Sequence, residues 1–195
     1  MRNSTPTGIF YVALSSEPSG TLEFSTLAEP ILAFKNFDGA EVRNVKFGPS
    51  RGMGIYINSS KNIKIDSCEF SNFGTVAVSA GSAFSQNPPA KLRNAKPRFK
   101  FNSAISLENC KIHDNALGGA FIKGGDKPPG NWVRNCEFYR NSRAGLKYSP
   151  SLSLYDVGAR VANCLFRDDP FNTLQFGGND LVIEKNRFER ICQNI

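Results

Sequence analysis

At 195 residues with 40% apolar content, the chain is long enough for one sizeable hydrophobic core and barely long enough for two. No stretch reaches the roughly 18 to 20 uninterrupted apolar residues of a membrane span, and the opening MRNSTPTGIFYVALSSEPSG lacks the charged start and long apolar run of a signal peptide, so a soluble domain without an address is expected. The net charge of +7 is 24 basic against 17 acidic residues, and five of the bases (Lys91, Arg93, Lys96, Arg98, Lys100) fall within ten acid-free residues. No nucleic-acid motif accompanies them, which leaves a solvated loop or a patch that attracts an anionic polymer.

Residues 1–30 read as a leading segment. From residue 31 onward, a short apolar strand and a seven-residue motif recur six times. In chain order the pairs are ILAF (31–34) with EVRNVKF (41–47), GIYI (54–57) with KIDSCEF (64–70), and VAV (76–78) with SLENCKI (106–112). AFI (120–122) with WVRNCEF (132–138), LSLY (152–155) with RVANCLF (160–166), and LQF (174–176) with VIEKNRF (182–188) complete the set. The motifs end on Phe47, Phe70, Ile112, Phe138, Phe166 and Phe188, and an apolar residue stands five positions before each: Val42, Ile65, Leu107, Val133, Val161 and Ile183. Asn44, Ser67, Asn109, Asn135 and Asn163 form a further column, broken by Lys185. Successive motif ends lie 23, 42, 26, 28 and 22 residues apart, so the long interval carries an insertion, residues 80–103, which is also the basic segment.

Two short strands per repeat, with Gly, Asn, Asp and Ser turns and no 3.6 periodicity, predict one turn of a solenoid per repeat. Strands of successive coils then pair in parallel about 4.8 Å apart, identical columns stack into ladders, and six coils span roughly 29 Å. The L-x-x-L-x-L spacing of leucine-rich repeats is absent. Cys68, Cys110, Cys136 and Cys164 share one column, a spacing at the edge of disulfide geometry, and are expected as buried free thiols; one per coil offers no tetrahedral closure for a metal. Cys192 lies outside the column. His113, the single histidine, is expected as a turn residue hydrogen-bonded to its neighbours, with a catalytic role as the alternative.

Polar residues collect at two edges of such a coil. The first, between the apolar strand and the motif, holds the insertion and three acids on consecutive coils, Asp126, Asp156 and Asp180. At roughly 5 Å per coil these span the separations used by glycosidase carboxyl pairs, while Asp is equally a turn former for its own backbone reasons. The second edge follows each motif and stacks Arg51, Asp114, Arg140, Arg143, Lys147, Tyr148, Asp168 and Asp169, either as a solvated ion-pair surface or as a sugar groove with Tyr148 as platform.

The segments GIFYVALSSEPSGTLEF (8–24), DGAEVRNVKF, SRGMGI, GGAFIKGGDK, NWVRNCEFYRNSR, DVGARVANCLFRDDP and GGNDLVIEKNRF resemble, in order, a large family of right-handed parallel β-helix repeat proteins that includes glycoside hydrolases of the fucosidase and xylanase type. The resemblance implies an all-β, right-handed parallel β-helix and a poly- or oligosaccharide as partner, with no cofactor and no metal. It implies Asp126 and Asp180 as acid and base or nucleophile, Asp156 tuning them, and Arg143, Tyr148, Lys127 and Asn179 holding sugar. The chain departs from the family pattern at Lys127, where Arg is usual, and at Phe171 and Leu181, where His is usual; both ends read as cuts through a longer solenoid. A non-catalytic glycan-binding or scaffold module, and a lyase acting on anionic polysaccharide, therefore stand beside the hydrolase reading. The basic insertion is expected to leave the coil as a flap drawn toward the three carboxylates.

Overall fold

The computed structural model describes residues 25–81, 97–126, 130–145 and 149–192. They form six coils of three strands each. The coils run β1 (Leu32–Lys35), β2 (Asp38–Arg43), β3 (Lys46–Phe47); β4 (Ile55–Asn58), β5 (Lys61–Asp66), β6 (Glu69–Ser71); and β7 (Val76–Ala80), β8 (Ser106–Glu108), β9 (Lys111–His113). They continue through β10 (Gly118–Lys123), β11 (Trp132–Arg134), β12 (Glu137–Tyr139); β13 (Leu152–Val157), β14 (Arg160–Ala162), β15 (Leu165–Arg167); and β16 (Leu174–Asn179), β17 (Val182–Glu184), β18 (Arg187–Glu189). Every third strand pairs in parallel, giving three six-stranded sheets: sheet I (β1, β4, β7, β10, β13, β16), sheet II (β2 to β17) and sheet III (β3 to β18). The expected all-β parallel solenoid of about six coils is the observed one.

The coil has three strands, not two, and the reason lies in the Asn column. Asn44, Ser67, Asn109, Asn135, Asn163 and Lys185 all adopt positive φ, from 52° to 57°. One left-handed residue breaks each seven-residue motif into a sheet II strand and a sheet III strand, and Asn tolerates that conformation better than most residues. Outside this corner the amides link coils: Asn135 donates to Asn109 at 3.1 Å, and Asn109 to Asp66 at 2.7 Å.

The predicted columns pack as ladders. Phe47 stacks on Phe70 at 4.8 Å, Phe138 on Phe166 at 5.0 Å, and Phe166 on Phe188 at 5.1 Å, all with nearly parallel rings. Ile112 occupies the gap in register with Phe70 and Phe138. Ile65, Leu107, Val133 and Val161 line sheet II, while Ile57, Ala80, Ile122 and Leu154 line sheet I. Cys68, Cys110, Cys136 and Cys164 are buried and free, and Cys192 is exposed and free. The thiols point at main-chain carbonyls, as Cys110 does at Glu108 (3.0 Å), and burial pushes Cys136 well above the usual thiol range, which keeps it inert.

The insertion leaves sheet I after β7 and returns to sheet II at β8, within one coil. Residues 82–96 lie outside the described residues. The returning stretch runs toward the first two coils: the Arg98 N–H donates to Asn36 at 2.7 Å, Lys61 lies over the Phe99 ring at 5.0 Å, and Asn102 is buried. Arg98 thus sits beside coil one rather than over the carboxylates of coils four to six, because Asn36 and Lys61 offer hydrogen-bond and cation–π partners there.

Candidate functional site

Besides the II–III corner of the Asn column, the III–I and I–II corners join the sheets, and both are closed inside by a polar ladder. At the III–I corner, the side-chain oxygen of Asn115 accepts from the Phe73 N–H (3.0 Å), and that of Asn141 accepts from the Asn115 amide (2.8 Å). Asp169 accepts from the Asn141 N–H (3.0 Å) and from the Thr173 hydroxyl. At the I–II corner, Asn102 accepts from the Ser60 N–H (3.0 Å), Asn131 from the Ile105 N–H (2.9 Å), and Asp156 from the Asn131 N–H (2.6 Å) and the Val157 N–H (2.8 Å). Each ladder supplies acceptors to N–H groups that the bend removes from the sheets. Each ends, toward the C-terminal coils, in a buried aspartate, and burial raises the pKa of both Asp156 and Asp169.

Asp156, one of the three expected site acids, therefore points into the molecule. It is 4% exposed, and a Cβ added at Gly124 would meet its carboxylate at 2.1 Å. Asp126 and Asp180 do stand exposed on this corner, in the turns that follow β10 and β16, with Asn179 exposed at the end of β16. They are two coils apart, about 10 Å at the strand spacing. Lys127 lies outside the described residues.

The outer side of the III–I corner is built differently. Asn72, Asp114, Arg140, Asp168 and Arg190 follow the last paired residues of sheet III on successive coils, all with positive φ. Four of them alternate in charge and pair. Arg140 grips Asp114 with two bonds, at 2.8 and 2.6 Å, and Arg190 grips Asp168 at 2.5 and 3.0 Å. The guanidinium partners hold both carboxyls down at about 2. His113 is the last residue of β9 rather than a turn residue; it meets Asp114 through Nδ1 at 2.7 Å, the neighbour bond expected of it, and stacks on Tyr139 at 4.5 Å. Arg167 stands at 4.0 Å from the Tyr139 ring centre, so that ring is already engaged.

Beside this ion ladder runs a groove of about 550 Å³ lined by Pro49, Arg51, Asn72, Gly74, Ala116 and Arg143, among others. A second hollow of about 370 Å³, lined by Arg140, Arg143, Asp168 and Arg190, adjoins it through Arg143. The backbone sets the floor. Gly74 donates to Ser50 (2.8 Å), Ala116 to Phe73 (2.8 Å) and Arg143 to Asn115 (3.2 Å), which puts Arg51, Gly74, Ala116 and Arg143 at equivalent turn positions on coils one to four. A Cβ on Gly74 would meet the Arg51 carbonyl at 2.3 Å, so the floor is smooth because it must be. The two arginines stand three coil spacings apart, about 14 Å. Tyr148 and Lys147 lie outside the described residues, and Asp169 has turned inward.

Residues 98–195 match the family model described as the right-handed β-helix region. The chain belongs to the right-handed β-helix family. No curated protein matches it. In this β-helix, Arg143 and the exposed acids Asp126 and Asp180 occupy different corners, so the structure does not bring these expected site residues together.

Sequence reasoning missed the two internal ladders. The III–I members share one position, Asn115, Asn141 and Asp169 each standing three residues past a motif end, whereas Asn102 lies near the end of the insertion, Asn131 just before β11 and Asp156 inside β13. The available signal was a recurring Asn or Asp just before or just after each strand pair, which is easily taken for ordinary turn chemistry.

Proposed function

We propose that the protein binds an anionic poly- or oligosaccharide along the III–I corner, with the glycan running parallel to the helix axis. The observation that supports this reading is the spacing of Arg51 and Arg143 above a floor of Gly74 and Ala116. Among the described lining residues of this groove the single acid is Asp114, and its charge is met by Arg140. Arg143 approaches Asp114 only at 3.7 Å and keeps most of its guanidinium in solvent. Two planar forks with spare donors suit carboxylate or sulfate groups on a sugar chain.

Affinity electrophoresis against polygalacturonate and against neutral xylan tests the proposal. Retardation by the uronate alone is expected, with at least a tenfold loss of affinity in the Arg51→Ser, Arg143→Ser double variant. Equal retardation by both polymers sinks it. If unsaturated uronate absorbance appears in the same mixture, the groove cleaves by elimination.

A hydrolytic reading rests on a separate observation, the exposure of Asp126 and Asp180 two coils apart on the I–II corner, close to the upper end of the roughly 6.5–9.5 Å separation of inverting carboxyl pairs. A sugar-release screen with the wild type and the Asp126→Asn, Asp180→Asn double variant decides it, and equal turnover by the two removes those residues from any role in cleavage.

A further inference from the structure

The end of the insertion crosses the coils as a strip. The Arg98 N–H donates to Asn36 in the I–II turn of coil one (2.7 Å), and Phe99 lies under Lys61 at the start of β5 in coil two. A Cβ added at Gly125, in the turn after β10 in coil four, would meet the Phe101 side chain at 3.1 Å. Residues 98–101 therefore run along the helix axis over the I–II corner, and buried Asn102 ties the strip down by accepting from the Ser60 N–H. Both rings are half-buried and carry cations: Lys61 (5.0 Å) and Arg98 (5.1 Å) lie over Phe99, and Lys100 (4.8 Å) over Phe101. Lys123, the last residue of β10, stands exposed in the same coil as Gly125. Against these four cations stand Asp38, which pairs with Lys61 at 3.1 Å, and exposed Asp126. Arg98, Lys100 and Lys123 pair with no carboxylate among the described residues.

We propose that this strip is the contact surface for an anionic lipid bilayer, on which the β-helix adsorbs with its axis in the membrane plane. Shape argues for a planar partner. A turn corner is the convex side of a coil, so cations spread over four coils, about 14 Å, meet a plane together, whereas a single polymer chain gains more from a groove such as that at the III–I corner. Chemistry argues for headgroups. Three of the four cations are ammonium groups, point charges that bind phosphodiesters without the forked geometry a carboxylate rewards. Half-buried rings with charged tips above them also have the layering of side chains that sit at a water–lipid boundary. Each cation near such a surface raises partitioning about fivefold, so the contact is reversible and depends on charge.

Co-sedimentation with vesicles tests the assignment, using phosphatidylcholine alone and phosphatidylcholine with about one-third phosphatidylglycerol. The wild type should bind the anionic vesicles and leave the neutral ones. Arg98→Glu with Lys100→Glu should weaken that binding at least tenfold, while the charge-keeping pair Arg98→Lys with Lys100→Arg should bind as the wild type does. Both side chains are exposed, and the Arg98 bond to Asn36 comes from the main chain, so the variants should fold; circular dichroism and urea unfolding check this. Equal binding to the two vesicle types, no binding to either, or undiminished binding by the charge-reversed variant overturns the proposal. So does loss of binding in the folded charge-keeping variant. Displacement from the vesicles by an equal charge concentration of soluble polyphosphate would assign the strip to a polyanionic chain and likewise overturn it.

Discussion

The I–II and III–I corners solve one internal problem in the same way and then diverge outside. Both bends strip N–H groups from the sheets, and both answer with buried Asn acceptors that give way to an aspartate toward the C-terminal coils. Outside, the I–II corner bears the long insertion and the free-standing Asp126 and Asp180, whereas the III–I corner condenses into an ion ladder beside an arginine-flanked groove. The difference teaches that a β-helix corner has an inner face governed by hydrogen-bond satisfaction and an outer face free to carry function. An acid found at a corner belongs to one or the other according to where its side chain points.

Replacing the terminal aspartates breaks the shared part of the comparison most sharply. Asp169→Ala orphans the Asn141 N–H and the Thr173 hydroxyl, and Asp156→Ala orphans the Asn131 N–H; each should cost about 3 kcal/mol in urea unfolding. Asp→Asn at either site keeps an acceptor, as Asn141 and Asn131 do in the same ladders, and should stay within about 1 kcal/mol of wild type. Alanine tolerated at one corner only would show that the two ladders are not equivalent.

A smaller effect separates the inner acids from the outer ones by pH. Burial raises the folded pKa of Asp156 and Asp169 above the unfolded value of 3.8. Their contribution is complete below that value and declines as pH rises through the raised folded values. Asp114 has the opposite sign. Arg140, then His113, lowers it to about 2, so its contribution is present above 3.8 and is lost as pH falls through about 2. Solvent screening limits the Asp114 contribution to about 1 kcal/mol. Urea midpoints measured from pH 2 to 7 should flatten on the acid side in Asp114→Asn and on the other side in the Asp156→Asn, Asp169→Asn pair. Identical profiles for both variants would collapse the distinction between inner and outer acids.

The least effect is expected from the loop at the I–II corner. Deleting residues 82–96 should change stability by less than about 1 kcal/mol, since closure entropy depends only logarithmically on loop length. Extending the deletion through Asn102 removes the acceptor of the Ser60 N–H and should cost about 1–3 kcal/mol more by the same unfolding assay. Equal stability of the two deletions would mean that the Asn102 acceptor contributes nothing to the ladder.

Much of the fold was legible because a repeat writes the same physical requirement several times. Two apolar columns repeated six times at matched offsets announced the coils, their number and their inward faces, and the shared cysteine column announced free thiols rather than bridges. The third sheet was hidden in the motif itself. A heptad such as WVRNCEF reads as one strand until the φ of 54° at Asn135 divides it. The candidate site was legible only as residue types on two edges. Arg143 kept its outward position, while Asp156 and Asp169 turned inward.

The sequence by itself determined the architecture, because columnar stacking depends on which residues recur and at what interval, both of which are linear properties of the chain. Only the tertiary structure decided which corner acids face solvent and which cations flank a groove. Those outcomes depend on side-chain direction at a bend and on what the neighbouring coil leaves unsatisfied. Asp156 and Asp180 illustrate the rule: each lies beside a short turn between sheets I and II, one bound to the Asn131 N–H inside and the other exposed outside.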